Sequence, residues 1–223
     1  MPLESHQPAS NETAPRGEEK LFLGIIVALA VIAGIGSWFA VIAFSHKEEL
    51  RGIPPDKSRW LADFSFTDST GGTVTRRDVE GRVLAVSFLF TSCSQTCPVV
   101  SRTMSEIQRL TANAPDVRLL SFTVDPRSDT PPALAKWGAR FGADTNRWQL
   151  LTGDQGQLLN LIGTSFLAPE TNNPFNSMPG NFGGTERIAL VDKHGRVRVF
   201  FDGLRIETPA AAAAEIEKLR QEN

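Results

Sequence analysis

Cysteine is scarce in this chain, with two among 223 residues, and histidine occurs three times. That excludes a disulfide-dense mini-protein and a cysteine-rich zinc module. No charge of one sign dominates either: 23 lysines and arginines face 25 aspartates and glutamates, for a net charge of −2. A strongly basic nucleic-acid binder and a disordered acidic tail are thereby ruled out. No internal repeat is present. What remains, 22% charged and 41% apolar, is ordinary globular composition.

One long uncharged run stands out, from Leu21 to Phe44. As a helix rising about 1.5 Å per residue, it is long enough to cross a hydrocarbon core of roughly 30 Å. A cleaved signal peptide would have a shorter apolar region ending in small residues, whereas this run ends in Trp38-Phe39-Ala40-Val41-Ile42-Ala43-Phe44. The expected organisation is a disordered polar tail over 1–20, a transmembrane anchor over 21–44, a linker over 45–59 carrying Pro54 and Pro55, and a folded domain over 60–223. Taking Arg16 and Lys20 from the cations, and Glu4, Glu12, Glu18 and Glu19 from the acids, leaves 21 of each beyond the anchor. The part outside the membrane is therefore formally neutral. Basic residues are more numerous after the run (Lys47, Arg51, Lys57, Arg59) than before it, but the positive-inside bias is weak ahead of a long domain.

From Trp60 onward, helical and strand patterns alternate. Phe64–Phe66 and Thr73–Thr75 flank a turn at 68–72 and suit a short hairpin. The apolar runs Val83–Phe90 and Val117–Val124 predict strands buried on both faces. Pro98 to about Ala112 predicts a helix with Val100, Met104, Ile107 and Thr111 on one face. Pro131–Phe141 predicts a helix, Trp148–Leu151 a short strand and Gln155–Gly163 a further helical stretch. Arg187–Val191 and Val197–Phe201 predict a hairpin turning at 192–195. Thr208 is expected to cap a last helix with Pro209 at its first position. The pattern predicts an α/β domain, a mixed sheet with helices on both faces.

Cys93 and Cys97 lie between the first buried strand and the helix beginning near Pro98. Pro98 disfavours helical angles at Cys97, so the pair is expected on the loop, where a helix N-terminus favours thiolate. The pair is either a redox dithiol, a metal-ligand pair, or both. Asp125 and Asp129 flank Pro126 at the end of the second strand, on the same sheet edge as the dithiol if the two strands run parallel. Asp125 is the better placed to modulate the thiols, and Asp129 is expected to cap the helix near Pro131.

The stretches WLADFSFTD from Trp60, Val74-Thr75 with Asp78, FTSCSQTCP at 90–98 and VDPRSDTP at 124–131 together resemble the Sco/SenC family. The resemblance runs from about Trp60 to Gly203. It implies a thioredoxin-like fold behind an N-terminal anchor, held by a single pass in the bacterial plasma membrane with the domain in the periplasm or outside the cell. It also implies copper delivery to the cytochrome c oxidase subunit that carries the binuclear copper site.

The family's copper site, as implied by the resemblance, uses both cysteines and one histidine. The position matching that histidine is Gly184. His6 precedes the anchor, His46 sits at its boundary, and His194 falls in a turn expected at the far end of the domain. Two thiolates without imidazole suit Cu(I) rather than Cu(II), with Cys93 and Cys97 as ligands. Met178 could offer a thioether but is expected to be a loop residue. The missing histidine also favours a second function, a thiol–disulfide oxidoreductase that reduces cysteines of another periplasmic thiol protein. Against it stand the CxxxC spacing and Glu186, at the position where many thioredoxin-like reductases carry a proline. A redox sensor or scaffold without turnover is a third reading. None involves nucleic acid.

Overall fold

The computed structural model describes residues 25, 29–37, 59–166 and 186–222. The chain divides into two compact units, Met1–Glu49 and Leu50–Asn223. In the first, residues 29–37 form a helix, α1, whose apolar side chains Leu29, Val31, Ile32 and Ile35 are exposed. Among the described residues no helix is long and apolar enough to cross a membrane. The expected tail, most of the expected anchor and the linker up to residue 58 lie outside the described residues.

The second unit is built on an eight-stranded mixed sheet. Its strands are β1 (Arg59–Trp60), β2 (Ser65–Asp68), β3 (Thr73–Thr75), β4 (Val83–Leu89), β5 (Val117–Thr123), β6 (Trp148–Thr152), β7 (Arg187–Val191) and β8 (Arg196–Asp202). They lie side by side in the order β1-β8-β7-β4-β5-β6-β2-β3. The helices are α2 (Thr96–Leu110), α3 (Pro131–Arg140), α4 (Gln155–Leu161), which runs on into a π turn at Ile162–Phe166, and α5 (Thr208–Gln221). β4, β5 and β6 are parallel neighbours, and the remaining pairings are antiparallel.

β4 and β5 occupy the middle of the sheet because their side chains are apolar in both directions. Along β4, Val83, Ala85 and Leu89 join one core with Val100, Met104 and Ile107 of α2, Leu134 and Trp137 of α3, and Ala212, Ile216 and Leu219 of α5. The alternate residues Leu84, Val86 and Phe88 join a second core with Phe66, Val74, Leu158, Leu161 and Phe166. Helices thus lie on both faces. Phenylalanine rings knit the second core, with Phe64 edge-on to Phe122 at 5.6 Å and Phe88 to Phe166 at 5.3 Å. The one polar pair in the middle of the sheet is self-satisfied: Ser87 and Ser121 share a 2.7 Å hydrogen bond, and the Trp148 indole donates to Ser121 at 2.9 Å.

Two helix starts differ from expectation. α2 begins at Thr96, so Cys97 lies in its first turn; Pro98 fits there because first-turn amides have no intrahelical partner. α5 has Glu207 as its N-cap. The Thr208 hydroxyl donates instead to the Asp202 carbonyl at 2.5 Å, fastening the helix to the end of β8.

Candidate functional site: a dithiol above the central strands

The register Val83↔Val117 through Leu89↔Thr123 brings β4 and β5 to an end at the same sheet edge. The Val124 amide, donating to the Leu89 carbonyl at 2.8 Å, carries the pairing one residue further. Two loops leave side by side from that edge, one carrying the dithiol and the other Asp125 and Asp129. A tight turn opens the first, the Cys93 amide donating to the Phe90 carbonyl at 3.1 Å.

Cys93 is half-buried and Cys97 fully buried, both as free thiols. Cys93 is the more open of the two, because it precedes the helix while Cys97 enters it. Its sulfur accepts from the Cys97 amide at 3.3 Å and lies 3.6 Å from the Thr96 hydroxyl. Burial pushes the Cys93 thiol up, but hydrogen bonds from the Cys97 thiol and amide, the Thr96 hydroxyl and the Gln95 backbone outweigh it and bring the pKa down to about 7. Cys97 moves the other way, pushed up to about 12 by burial and by donating its proton to Cys93. One sulfur is thus ready to ionise near neutrality while its neighbour holds the proton. The difference comes from the deeper burial of Cys97 and from the hydrogen bonds its thiol and its first-turn amide give to Cys93.

Asp129 does not cap α3. Thr130 is the N-cap residue, without a side-chain hydrogen bond, and Asp129 is 0% exposed. Its carboxylate turns back beneath the loops. It accepts from the Thr91 amide at 3.1 Å to each oxygen, from the Thr91 hydroxyl at 2.5 Å, and from the Thr123 hydroxyl. A buried carboxylate needs such donors, and two of the three come from side chains at the strand ends. The signal lay in the sequence: Thr91 follows the apolar run of β4 and Thr123 ends that of β5, and a hydroxyl so placed requires a partner. Asp125, half-buried, receives the Ser128 and Asp129 amides on its carbonyl at 3.2 and 2.9 Å. Among the described residues its carboxylate hydrogen-bonds neither thiol.

His194 lies in the β7–β8 turn. Because Leu84 pairs with Val191, that turn sits at the end of β4 away from the dithiol. Glu186 gives its carbonyl to the Gly203 amide at 2.6 Å. Gly184, Met178, His6 and His46 lie outside the described residues. Among the described residues no three His, Cys, Asp or Glu side chains gather as a metal site. Among the described residues the donor set is two sulfurs, one on the loop and one in the first turn of α2, which suits a soft ion of low coordination number such as Cu(I).

Residues 54–221 match the family model described as SCO1/SenC. The chain belongs to the SCO1/SenC family. It is 36% identical over 107 residues to a SCO1 protein homolog of Bacillus subtilis, an alignment covering 47% of this chain and 55% of that protein. The chain thus spans little more than half of that relative's length. With a SCO2-like protein of Rickettsia prowazekii it shares 25% identity over 183 residues, 79% of this chain and 88% of the other. Among solved structures, a SCO1/SenC family lipoprotein from Bacillus anthracis matches with a TM-score of 0.61 at 27% identity, covering 74% of this chain and 98% of the other. ScoI of Bradyrhizobium japonicum, solved with copper bound, matches with a TM-score of 0.57 at 26% identity, covering 71% and 98%. The mixed α/β fold is therefore that of the Sco structures.

Proposed function

We propose that this chain is a membrane-anchored Sco protein that carries copper as Cu(I) on Cys93 and Cys97. Its cargo would go to the cytochrome c oxidase subunit holding the binuclear copper site. The domain would lie in the periplasm or outside the cell, tethered to the plasma membrane through 21–44. The observation that carries the reading is the pair itself: one sulfur on the loop, open and low in pKa, the other buried in the first turn of α2. The copper-bound Bradyrhizobium relative adds weight. Binding deprotonates both thiols, and each sulfur supplies an electron pair to the ion. Near pH 7 Cys93 is the thiol that gives up its proton first while Cys97 keeps its own, so loading one Cu(I) should release between one and two protons, about one of them from Cys97. Asp125, on the neighbouring loop, would modulate the thiols through its charge.

The same asymmetry supports a second reading, thiol–disulfide exchange. The Cys93 thiolate would attack a partner's disulfide, forming a mixed disulfide and releasing one partner thiol. Cys97, losing its proton, would then displace the second. The partner gains two electrons and the pair becomes a disulfide.

Anaerobic titration of the reduced protein with Cu(I), alongside its dithiol reduction potential, separates the two. Tight one-to-one binding, lost in Cys93→Ser and Cys97→Ser, is the expected result. Weak binding with a potential of roughly −200 to −300 mV would replace it with the oxidoreductase. Two thiolates leave Cu(II) under-coordinated, so the native protein should show no stable thiolate-to-Cu(II) charge-transfer band, and Gly184→His should create one.

A further inference from the structure

Asp129 is the one fully buried carboxylate at the dithiol end among the described residues, and neither reading of the function uses it. No cation pairs with it among the described residues. Its oxygens are taken up by neutral donors, the amide and hydroxyl of Thr91 and the hydroxyl of Thr123. Burying a carboxylate costs several kcal/mol unless hydrogen bonds replace its water, and packing alone would be better served by an apolar side chain. What the carboxylate adds is direction, since its acceptors fix where the donors must lie.

Those donors join two loops. Thr91 sits inside the turn closed by the Cys93 amide on the Phe90 carbonyl at 3.1 Å. The Thr123 hydroxyl donates to Asp129 and accepts from the Asp125 amide at 3.0 Å, so it ties the second loop to the same carboxylate. The turn at 90–93 determines where the Cys93 sulfur lies, and from there it meets the Cys97 amide at 3.3 Å.

We propose that Asp129 is a positioning residue for the dithiol, holding Thr91 so that the 90–93 turn presents the Cys93 sulfur to the first turn of α2. The proposal rests on Cys93 and Cys97 being the working pair. In the reduced state the sulfur keeps a hydrogen bond from the Cys97 amide; as part of a disulfide it is a poorer acceptor. Loosening the clamp therefore removes stabilisation from the dithiol more than from the disulfide.

The test uses the full chain in detergent, equilibrated with defined ratios of reduced and oxidised dithiothreitol, with a melting curve recorded for each variant. Asp129→Asn turns one acceptor into a donor facing donors, and Thr91→Val deletes the hydroxyl while leaving the loop's length and backbone. Each should move the equilibrium toward the disulfide by about tenfold, which is about 30 mV for this two-electron couple. The double variant should add little, because both substitutions cut one link. An equilibrium within about twofold of wild type, with only the melting temperature lowered, would leave Asp129 a scaffold residue and overturn the proposal. A shift toward the dithiol would overturn it too. If Asp129→Asn does not fold, Thr91→Val decides by the same criterion. No copper enters this measurement. A chain that fails the Cu(I) titration but shows the shift loses the copper reading and keeps the clamp, and the converse result separates them the other way.

Discussion

At the scale of the residue, two chemically identical side chains have become different acids. Cys93 is lowered from the ordinary 9.0 of a free thiol to about 7, and Cys97 is raised to about 12. Alkylation of the reduced protein by iodoacetamide should therefore follow a single midpoint near pH 7, with Cys93 labelled and Cys97 protected, as peptide mass mapping would show. Thr96→Val removes the hydroxyl 3.6 Å from the Cys93 sulfur and should move that midpoint upward. The pair also leaves a signature in stability. Between about pH 7 and 9 the folded state holds fewer protons at Cys93 than the unfolded chain, so stability should rise with pH. From about 9 to 12 the unfolded chain loses the Cys97 proton that the folded state retains, and stability should fall. Denaturant titrations of the reduced protein across this range should show the rise and fall, and a Cys93→Ser, Cys97→Ser double variant should lack both.

Secondary-structure elements set where those residues meet. α2 is held at its middle by the β8–α5 connection: the Thr103 hydroxyl donates to the Gly203 carbonyl at 2.7 Å, and Gly203 itself donates to the Glu186 carbonyl. A methyl group on Gly203 would come within 2.8 Å of that same carbonyl and 3.1 Å of Val100. The carbonyl cannot retreat without losing its hydrogen bond. Gly203→Ala should cost about 1–3 kcal/mol in chemical denaturation, in line with overpacking elsewhere. It should also disturb the first turns of α2, which would appear as faster exchange of the Cys97 amide. The strands and helices themselves were largely legible. The runs of β4 and β5 are apolar in both directions because they are covered on both faces, and α2 shows its period through Val100, Met104 and Ile107. Helix starts were less so. Pro98 and Pro209 fit several first-turn positions, and what chose among them was the contact each neighbouring side chain found after folding.

Across the whole molecule, both cores are drawn, among the described residues, from positions 61–219, while the apolar side chains of α1 are exposed. A chain beginning at residue 45, with its 21 acids balancing 21 cations, should be soluble, folded and monomeric without detergent. Sedimentation velocity would check this, and aggregation would mean that the core depends on what was removed. The same sheet that closes the two cores also separates the histidine of the β7–β8 turn from the dithiol by the length of β4, so that His194 belongs to the hairpin and not to the site.

The sequence by itself determined the α/β class, the strand–loop–helix setting of Cys93 and Cys97, and the family, because apolar period and motif spacing are local properties of the chain. It could also order the two thiols by exposure, since one precedes the helix and the other enters it. Of the Asp129 cluster it offered only the two threonines at the strand ends, Thr91 and Thr123, and not the partner they share. Read along the chain, an aspartate two residues before Pro131 is a helix cap; in space its carboxylate meets Thr91, 38 positions earlier, because parallel pairing of β4 and β5 brings their ends to one edge. The opposite shifts of the two cysteines were likewise decided by the tertiary structure, through a helix amide aimed at one sulfur and the burial of the other. Hydrogen-bond partners and desolvation depend on what folding brings near, and that is not written in the neighbouring residues.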